Sequence, residues 1–255
     1  MLTISTYLVK PYLSLGADYS ELRRNPAVWL RKHINEIMNP RKRELKNENI
    51  PTEIFFNHDE QTGALIPDYP LIQYHYIKNN FYVSGINEGA QALTKLIEIY
   101  NKDTVKINRD FYLNFTMVPE LSSKTKICNT AETFDYALYN WLPFCKTNYD
   151  EYKALKSLDK KILKLEERLK INLAESMGKK LNMKLGKSKV KITDVDSFKR
   201  KWICITDDKK FNHCYKPFSV CFETNLLLPP MLTVGNRKAL GYGRIIPKTN
   251  HKPPQ

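Results

Sequence analysis

The chain opens with a run of β-branched and apolar residues, LTISTYLV (2–9), which predicts a strand. A helical period replaces it in NPAVWLRKHINEIM (25–38), where Asn25 can cap, Pro26 suits the first turn and Pro40 ends the run. Short strand-like runs return in IFFNH (54–58), PLIQYHYI (70–77) and FYVSGI (81–86), the last reached through an Asn79-Asn80 turn. NEGAQALTKLIEIY (87–100) puts Ala90, Leu93, Leu96, Ile97 and Tyr100 on one helical face, and VKINRDFYLNFTMV (105–118) returns to strand. The order over 1–118 is β-α-β-β-α-β, the ferredoxin-like split-βαβ arrangement.

The second half repeats this logic less cleanly. A strand near 125–128 precedes an aromatic stretch, FDYALYNWLPF, that the pattern leaves unplaced. NYDEYKALKSLDKKILKLEERLKINLAESM (148–177) reads as one long helix. Leu155, Leu158, Ile162, Leu165 and Leu169 form its stripe, and Asn148 with Glu151 fits a capping box. Strands are expected at 188–194, 201–206, 215–224 and 241–246, and the tail from 248 as disordered. The predicted architecture is α+β, with tandem ferredoxin-like (RRM-like, βαββαβ) domains over 1–120 and 121–247.

Composition narrows the classes. A chain of 255 residues is 42% hydrophobic, holds 15 Tyr and 11 Phe, and has no run near the ~20 apolar residues of a membrane span. Its N-terminal run lacks the pattern of a signal peptide, which points to a cytoplasmic protein. The five cysteines are odd in number and show no CxxC spacing, so all are expected to be reduced. The formal charge is +14, which favours a polyanionic partner. The surplus lies late: residues 151–201 hold 16 Lys and Arg against 7 Asp and Glu, and residues 209–255 hold 8 against 1.

Several chemistries leave no trace. There is no GxxxxGK[ST] loop, no GxGxxG opening a helix, no HExxH and no zinc-ligand spacing. The acidic residues show no grouping suited to paired metals, so a nuclease of this composition is expected to work without metal or other cofactor.

Two stretches carry a resemblance. DYPLIQYHYIKNNFYVSGINEGAQAL (68–93) resembles the YPLIQYK…GINEGAE pattern of the CRISPR repeat-RNA processing endoribonucleases of the "b" subtype. FSVCFETNLLLPPMLTVGNRKALGYGRI (218–245) is similar to the terminal segment of the wider repeat-associated superfamily, in which a strand leads into a glycine-rich loop ending in GFG or GYG. The resemblance implies tandem ferredoxin-like domains that bind repeat RNA and cut it once. It also implies metal-independent attack by the ribose 2′-hydroxyl, leaving a 5′-hydroxyl and a 2′,3′-cyclic or 3′-phosphate end. Such chemistry needs a base, an acid and a cation for the phosphorane, tasks suited to histidine and to lysine or arginine.

Position ranks the histidines. His58, at the end of IFFNH and ahead of the YPLIQY motif, stands where family members carry a histidine. His33 lies in the helix beside Arg31 and Lys32, and His75 alternates with Tyr74 and Tyr76 on a strand. A tyrosine such as Tyr74, or a lysine, could replace the second histidine. His213 sits in a basic stretch where it could touch RNA without doing chemistry, and His251 lies in the tail. The resemblance assigns phosphate contact to Gly235, Arg237, Lys238, Gly241, Gly243 and Arg244, with the glycines admitting close backbone approach. The loop departs from the family's G-x-G opening, since Thr233 stands where a glycine is expected. The alternatives are a noncatalytic RNA-binding subunit of a CRISPR effector complex, or a generic basic RNA-binding protein. A homodimer is also compatible with the sequence.

Overall fold

The structure, a computed structural model, describes residues 1–13, 22, 25–57, 62, 68–102, 111–178, 188–196, 201–206 and 212–248. His58, His251, the start of the expected 105–118 strand and the tail from 249 lie outside these residues. The chain forms two compact units: Met1–Thr125 with Ala239–Gly241, and Lys126–Lys238 with Tyr242–Gln255.

In the first unit β1 (Leu2–Leu13), β2 (Ile72–Ile77), β3 (Asn80–Ile86) and β4 (Phe111–Met117) form an antiparallel sheet in the order β2-β3-β1-β4. That is the ferredoxin-like order, with the helical crossovers α1 (Pro26–Met38) and α3 (Glu88–Lys102) between β1 and β2 and between β3 and β4. A short α2 (Lys42–Asn47) follows α1. One sheet face supplies Tyr7, Val9, Ile72, Tyr74, Phe81, Val83 and Leu113 to a core closed by Trp29, Leu30 and Ile34 of α1 and Leu93 and Leu96 of α3. The opposite face carries Thr6, Gln73, His75 and Ser84, all fully buried. Thr6 Oγ1 and Ser84 Oγ lie 3.0 Å apart there, and Thr6 Oγ1 donates to the Leu121 carbonyl at 2.9 Å. β5 (Ser123–Thr125) adds to β1 at Leu2–Ile4.

The GINEGA segment is a packing device. A Cβ on Gly85 would lie 2.4 Å from the Gly89 carbonyl oxygen, and one on Gly89 would lie 2.2 Å from that of Leu71. Between them Asn87 accepts from the Thr3 amide on its Oδ1 and donates its own amide to the Thr3 carbonyl. The start of α3 is thereby pinned to β1.

The second unit holds β6 (Asn129–Trp141), α4 (Lys146–Ala154), α5 (Leu158–Gly178), β7 (Val190–Asp196), β10 (Phe218–Leu226) and β11 (Arg244–Pro247). A hairpin, β8 (Ile203–Thr206) with β9 (Asn212–Tyr215), forms its own two-stranded sheet. The main sheet runs β11-β6-β10-β7, so the same strand order recurs. Where α3 connects β3 to β4 in the first sheet, the connection from β10 to β11 is a loop with one 3-10 turn, Lys238–Leu240. The glycine loop therefore occupies the place of a missing helix.

Four expectations are corrected. IFFNH is no strand: Thr52–Phe55 is a 3-10 helix, and Asn57 takes a left-handed φ of 56°. The unplaced aromatic stretch is β6, whose inward Phe134, Tyr136, Leu138 and Trp141 are buried. The long helix is broken at Leu155, which is extended, and Ser157 starts α5 by accepting from the Lys160 amide on its hydroxyl. Lys146 rather than Asn148 opens α4, and Cys145 at its N-cap makes no side-chain bond, so the predicted capping box does not form. The break lets α4 bury Tyr152 against Phe144 and Phe218 while α5 buries Leu165, Leu169 and Leu173. Leu158, expected in the stripe, is exposed.

The cysteine reading is the fourth correction. Cys204 and Cys214 face each other across β8 and β9 and form a disulfide, while Cys128, Cys145 and Cys221 stay free. No CxxC spacing announces a pair ten residues apart; only the hairpin brings it together. A loop of this length is stabilised by roughly 2–3 kcal/mol on cross-linking. Thiol titration of the unfolded chain is expected to count three thiols before reduction and five after; five before reduction removes the bond from the native protein. Among the described residues no helix is long and apolar enough to cross a membrane.

Candidate active site and phosphate-binding loop

In the first unit the segment that leads to His58 is tied down at successive carbonyls. Tyr74, fully buried on β2, donates its hydroxyl to the Phe55 carbonyl at 2.8 Å. Arg31 of α1 donates from its guanidinium to the Phe56 carbonyl, and the Asn57 amide donates to Glu53 at 2.9 Å. Burial pushes the Tyr74 phenol well above its ordinary value, with Arg31 opposing. Tyr74 is thus held as a neutral donor that fixes backbone.

His33 and His75 occupy opposite faces of the first unit's sheet. His33 stacks on Trp29 at 4.1 Å, places Nδ1 2.8 Å from the Trp29 carbonyl and Nε2 3.8 Å from Glu36. Its side chain is 14% exposed. His75 projects away from the helices, since Tyr74 before it faces them, and it is fully buried. Gly241, which belongs to this unit, packs on it: a Cβ there would lie 2.5 Å from His75 Nδ1 and 2.7 Å from the Tyr74 carbonyl oxygen. The two histidines cannot form an acid–base pair through the sheet.

In the second unit the end of β10 bends under control of Tyr136. Its hydroxyl donates to the Leu226 carbonyl at 3.2 Å and accepts from the Leu228 amide at 2.8 Å. Burial pushes its pKa up to about 12, with the bond from Leu228 opposing. The following loop is then held just past the end of β6, a segment that α5 braces. Asn236 donates from its amide and side chain to the Leu142 carbonyl. Trp141 Nε1 donates to Asn172 Oδ1 at 3.0 Å, and Arg168 Nε donates to the Pro143 carbonyl at 2.9 Å.

The six expected RNA contacts sort by this geometry. Gly235 sits against the Trp141 indole, 2.8 Å from where a Cβ would be, and Gly243 against the Val234 carbonyl. The space that these glycines and Gly241 leave is filled by protein atoms. Arg244 is nearly buried, with its guanidinium over the Tyr139 ring at 5.5 Å. Lys238 is half-buried; desolvation lowers its pKa, Glu175 raises it and Arg168 lowers it further. Arg237, half-buried in a left-handed conformation, lies 5.8 Å over the Tyr215 ring. Tyr136, Trp141 and Asn172 were missed as loop supports, because nothing in their local sequence marks long-range bonds.

Residues 30–118 match the Cas6b N-terminal domain, and residues 128–248 match the Cas6b C-terminal domain. The chain belongs to the Cas6b family. Its fold is similar to a crystal structure of Cas6b at 19% identity and a TM-score of 0.59, covering 97% of this chain and 100% of that one. A CRISPR RNA processing endoribonuclease Cas6b is similar at 17% identity and a TM-score of 0.55, covering 96% and 100%. A type IV CRISPR-Cas Cas6 crRNA endonuclease, Csf5, is similar at 14% identity and a TM-score of 0.54, covering 96% and 99%. Among curated proteins no sequence relative is found. As in other Cas6b-type folds, two ferredoxin-like units lie in tandem, and here the second replaces one crossover helix with the glycine loop.

Proposed function

We propose that this Cas6b-type CRISPR RNA processing endoribonuclease binds the repeat in precursor RNA and cuts it once, without metal. The 2′-oxygen gives its proton to a base and bonds to the adjacent phosphorus. The 5′-oxygen leaves with a proton from an acid, so the ends are a 5′-hydroxyl and a 2′,3′-cyclic phosphate that can open to the 3′-phosphate. The observation that carries the assignment of His58 to this chemistry is its place in the sequence, two residues after Phe56, where Tyr74 and Arg31 anchor the carbonyls of Phe55 and Phe56. A base held within hydrogen-bond reach contributes about 10²–10⁴-fold. A lysine or arginine is needed for the phosphorane charge, and the cations of the glycine loop, Arg237 foremost, are assigned to phosphates of the bound repeat. The proposed partner is the repeat RNA and, through it, a CRISPR effector complex; light scattering of the RNA complex distinguishes one copy of the chain from two.

The test uses a labelled RNA carrying the CRISPR repeat of the same genome, with EDTA present. One cut that persists in EDTA and fails when the scissile nucleotide is 2′-deoxy supports the reading. Loss of cleavage in EDTA overturns its metal independence. Tight binding with no cut assigns the chain a binding role only.

Arg237→Ala is expected to weaken repeat binding about tenfold and to flatten the dependence of log Kd on log salt by about one contact. An unchanged salt slope, measured by gel shift across a salt series, removes Arg237 from the phosphate surface.

A further inference from the structure

The second unit contains a cavity of about 480 Å³ that the cleavage chemistry does not use. Its walls include Lys146 at the start of α4, Trp202, and the stapled hairpin with Cys204, His213, Cys214 and Tyr215. The volume lies within the range, about 300–1,000 Å³, that encloses small aromatic ligands.

Trp202 is the unusual wall. Of three tryptophans, Trp29 and Trp141 are buried at 3% and 0%, while Trp202 is 43% exposed. Tyr149 meets it in a T-shaped arrangement, with ring centroids 5.0 Å apart and planes at 79°. That contact steadies an indole that is still 43% exposed. Tyr215, at the end of β9, carries Arg237 of the glycine loop over its ring. The cavity thus shares Tyr215 with the side chain assigned to phosphate, and Lys146 and His213 add polar and cationic character to its rim. The Cys204–Cys214 bond fixes β9 against β8, so the wall is a rigid platform.

We infer that this cavity is a stacking subsite for one unpaired nucleobase of the bound RNA, with Trp202 as its platform and Arg237 holding a neighbouring phosphate. This rests on the RNA-processing reading above. Every base offers a π-face, and stacking on an exposed aromatic is sequence-tolerant. His213 then contacts the nucleotide without taking part in cleavage.

Trp202→Ala is expected to weaken repeat-RNA binding about tenfold, and Trp202→Phe to restore most of it. Wild-type tryptophan emission is expected to change on RNA titration, since only Trp202 is exposed, and the change is lost in Trp202→Ala. An abasic scan of the repeat locates the stacked nucleotide: one abasic position costs the wild type about tenfold and costs Trp202→Ala nothing further. Equal affinity of Trp202→Ala and wild type overturns the subsite. If the alanine variant does not fold, the wild-type scan decides, and no sensitive position overturns it. Wild type that fails to bind the repeat at all overturns the RNA reading itself, before any variant is compared.

Discussion

His58→Ala is expected to bind repeat RNA with wild-type affinity and to cut it about 10²–10⁴-fold more slowly, the range that a positioned general base contributes. The expectation follows from what the other histidines are doing. His75 is fully buried and packed on Gly241, so it meets no ribose hydroxyl without repacking. His33 has its Nδ1 at the Trp29 carbonyl and its ring stacked on the Trp29 indole. His58 instead follows directly on a turn whose carbonyls are held by Tyr74 and Arg31. Single-turnover cleavage and gel shift, measured on the same preparation, separate the outcomes. Full activity in His58→Ala moves the base to another residue. Loss of binding together with cleavage makes His58 a contact to RNA rather than the base.

The strands and crossover helices of the first unit were legible because each obeys one period. β2 and β3 alternate across a sheet with one core face, and α1 and α3 each present one apolar face to it. The segment ahead of His58 was misread because IFFNH has strand composition, while its geometry is set by bonds from Tyr74 and Arg31 that no local pattern encodes. The same limit hid the Cys204–Cys214 pair, which exists only through hairpin register. The 148–177 helix shows the reverse case. Its composition is helical throughout, yet the chain breaks at Leu155–Ser157, and Tyr152 before the break and Leu165 after it are both buried. The glycines of the loop are assigned from sequence to RNA approach; in the structure protein atoms also crowd the side where each Cβ would stand, a packing role that no local pattern encodes.

That packing role makes Gly243→Ala the most damaging single methyl in the loop. Gly243 has φ of 71°, a left-handed conformation that costs an alanine about 1–2 kcal/mol. Its Cβ would also fall 1.8 Å from the Val234 carbonyl oxygen. Val234 cannot yield cheaply, because it is fully buried and its amide donates back to the Gly243 carbonyl at 2.8 Å. The flanking bonds share the same ladder: Ile245 donates to Leu232 at 2.8 Å, Met231 donates to Ile245 at 3.1 Å, and Thr233 bridges Arg244. This ladder closes the loop that carries Arg237 and Lys238 onto β11, so a shift at Gly243 displaces the cations as well. Gly243→Ala should lose more than about 2 kcal/mol in urea unfolding, with at least a tenfold loss of repeat affinity for the fraction that remains folded. Gly235→Ala is the graded comparison, since its nearest clash is the edge of the Trp141 indole at 2.8 Å rather than backbone. It should cost less stability than Gly243→Ala. Equal stability of Gly243→Ala and wild type would mean that the 231–234 segment yields freely, and the loop would then not be the rigid cation mount on which the phosphate assignment depends.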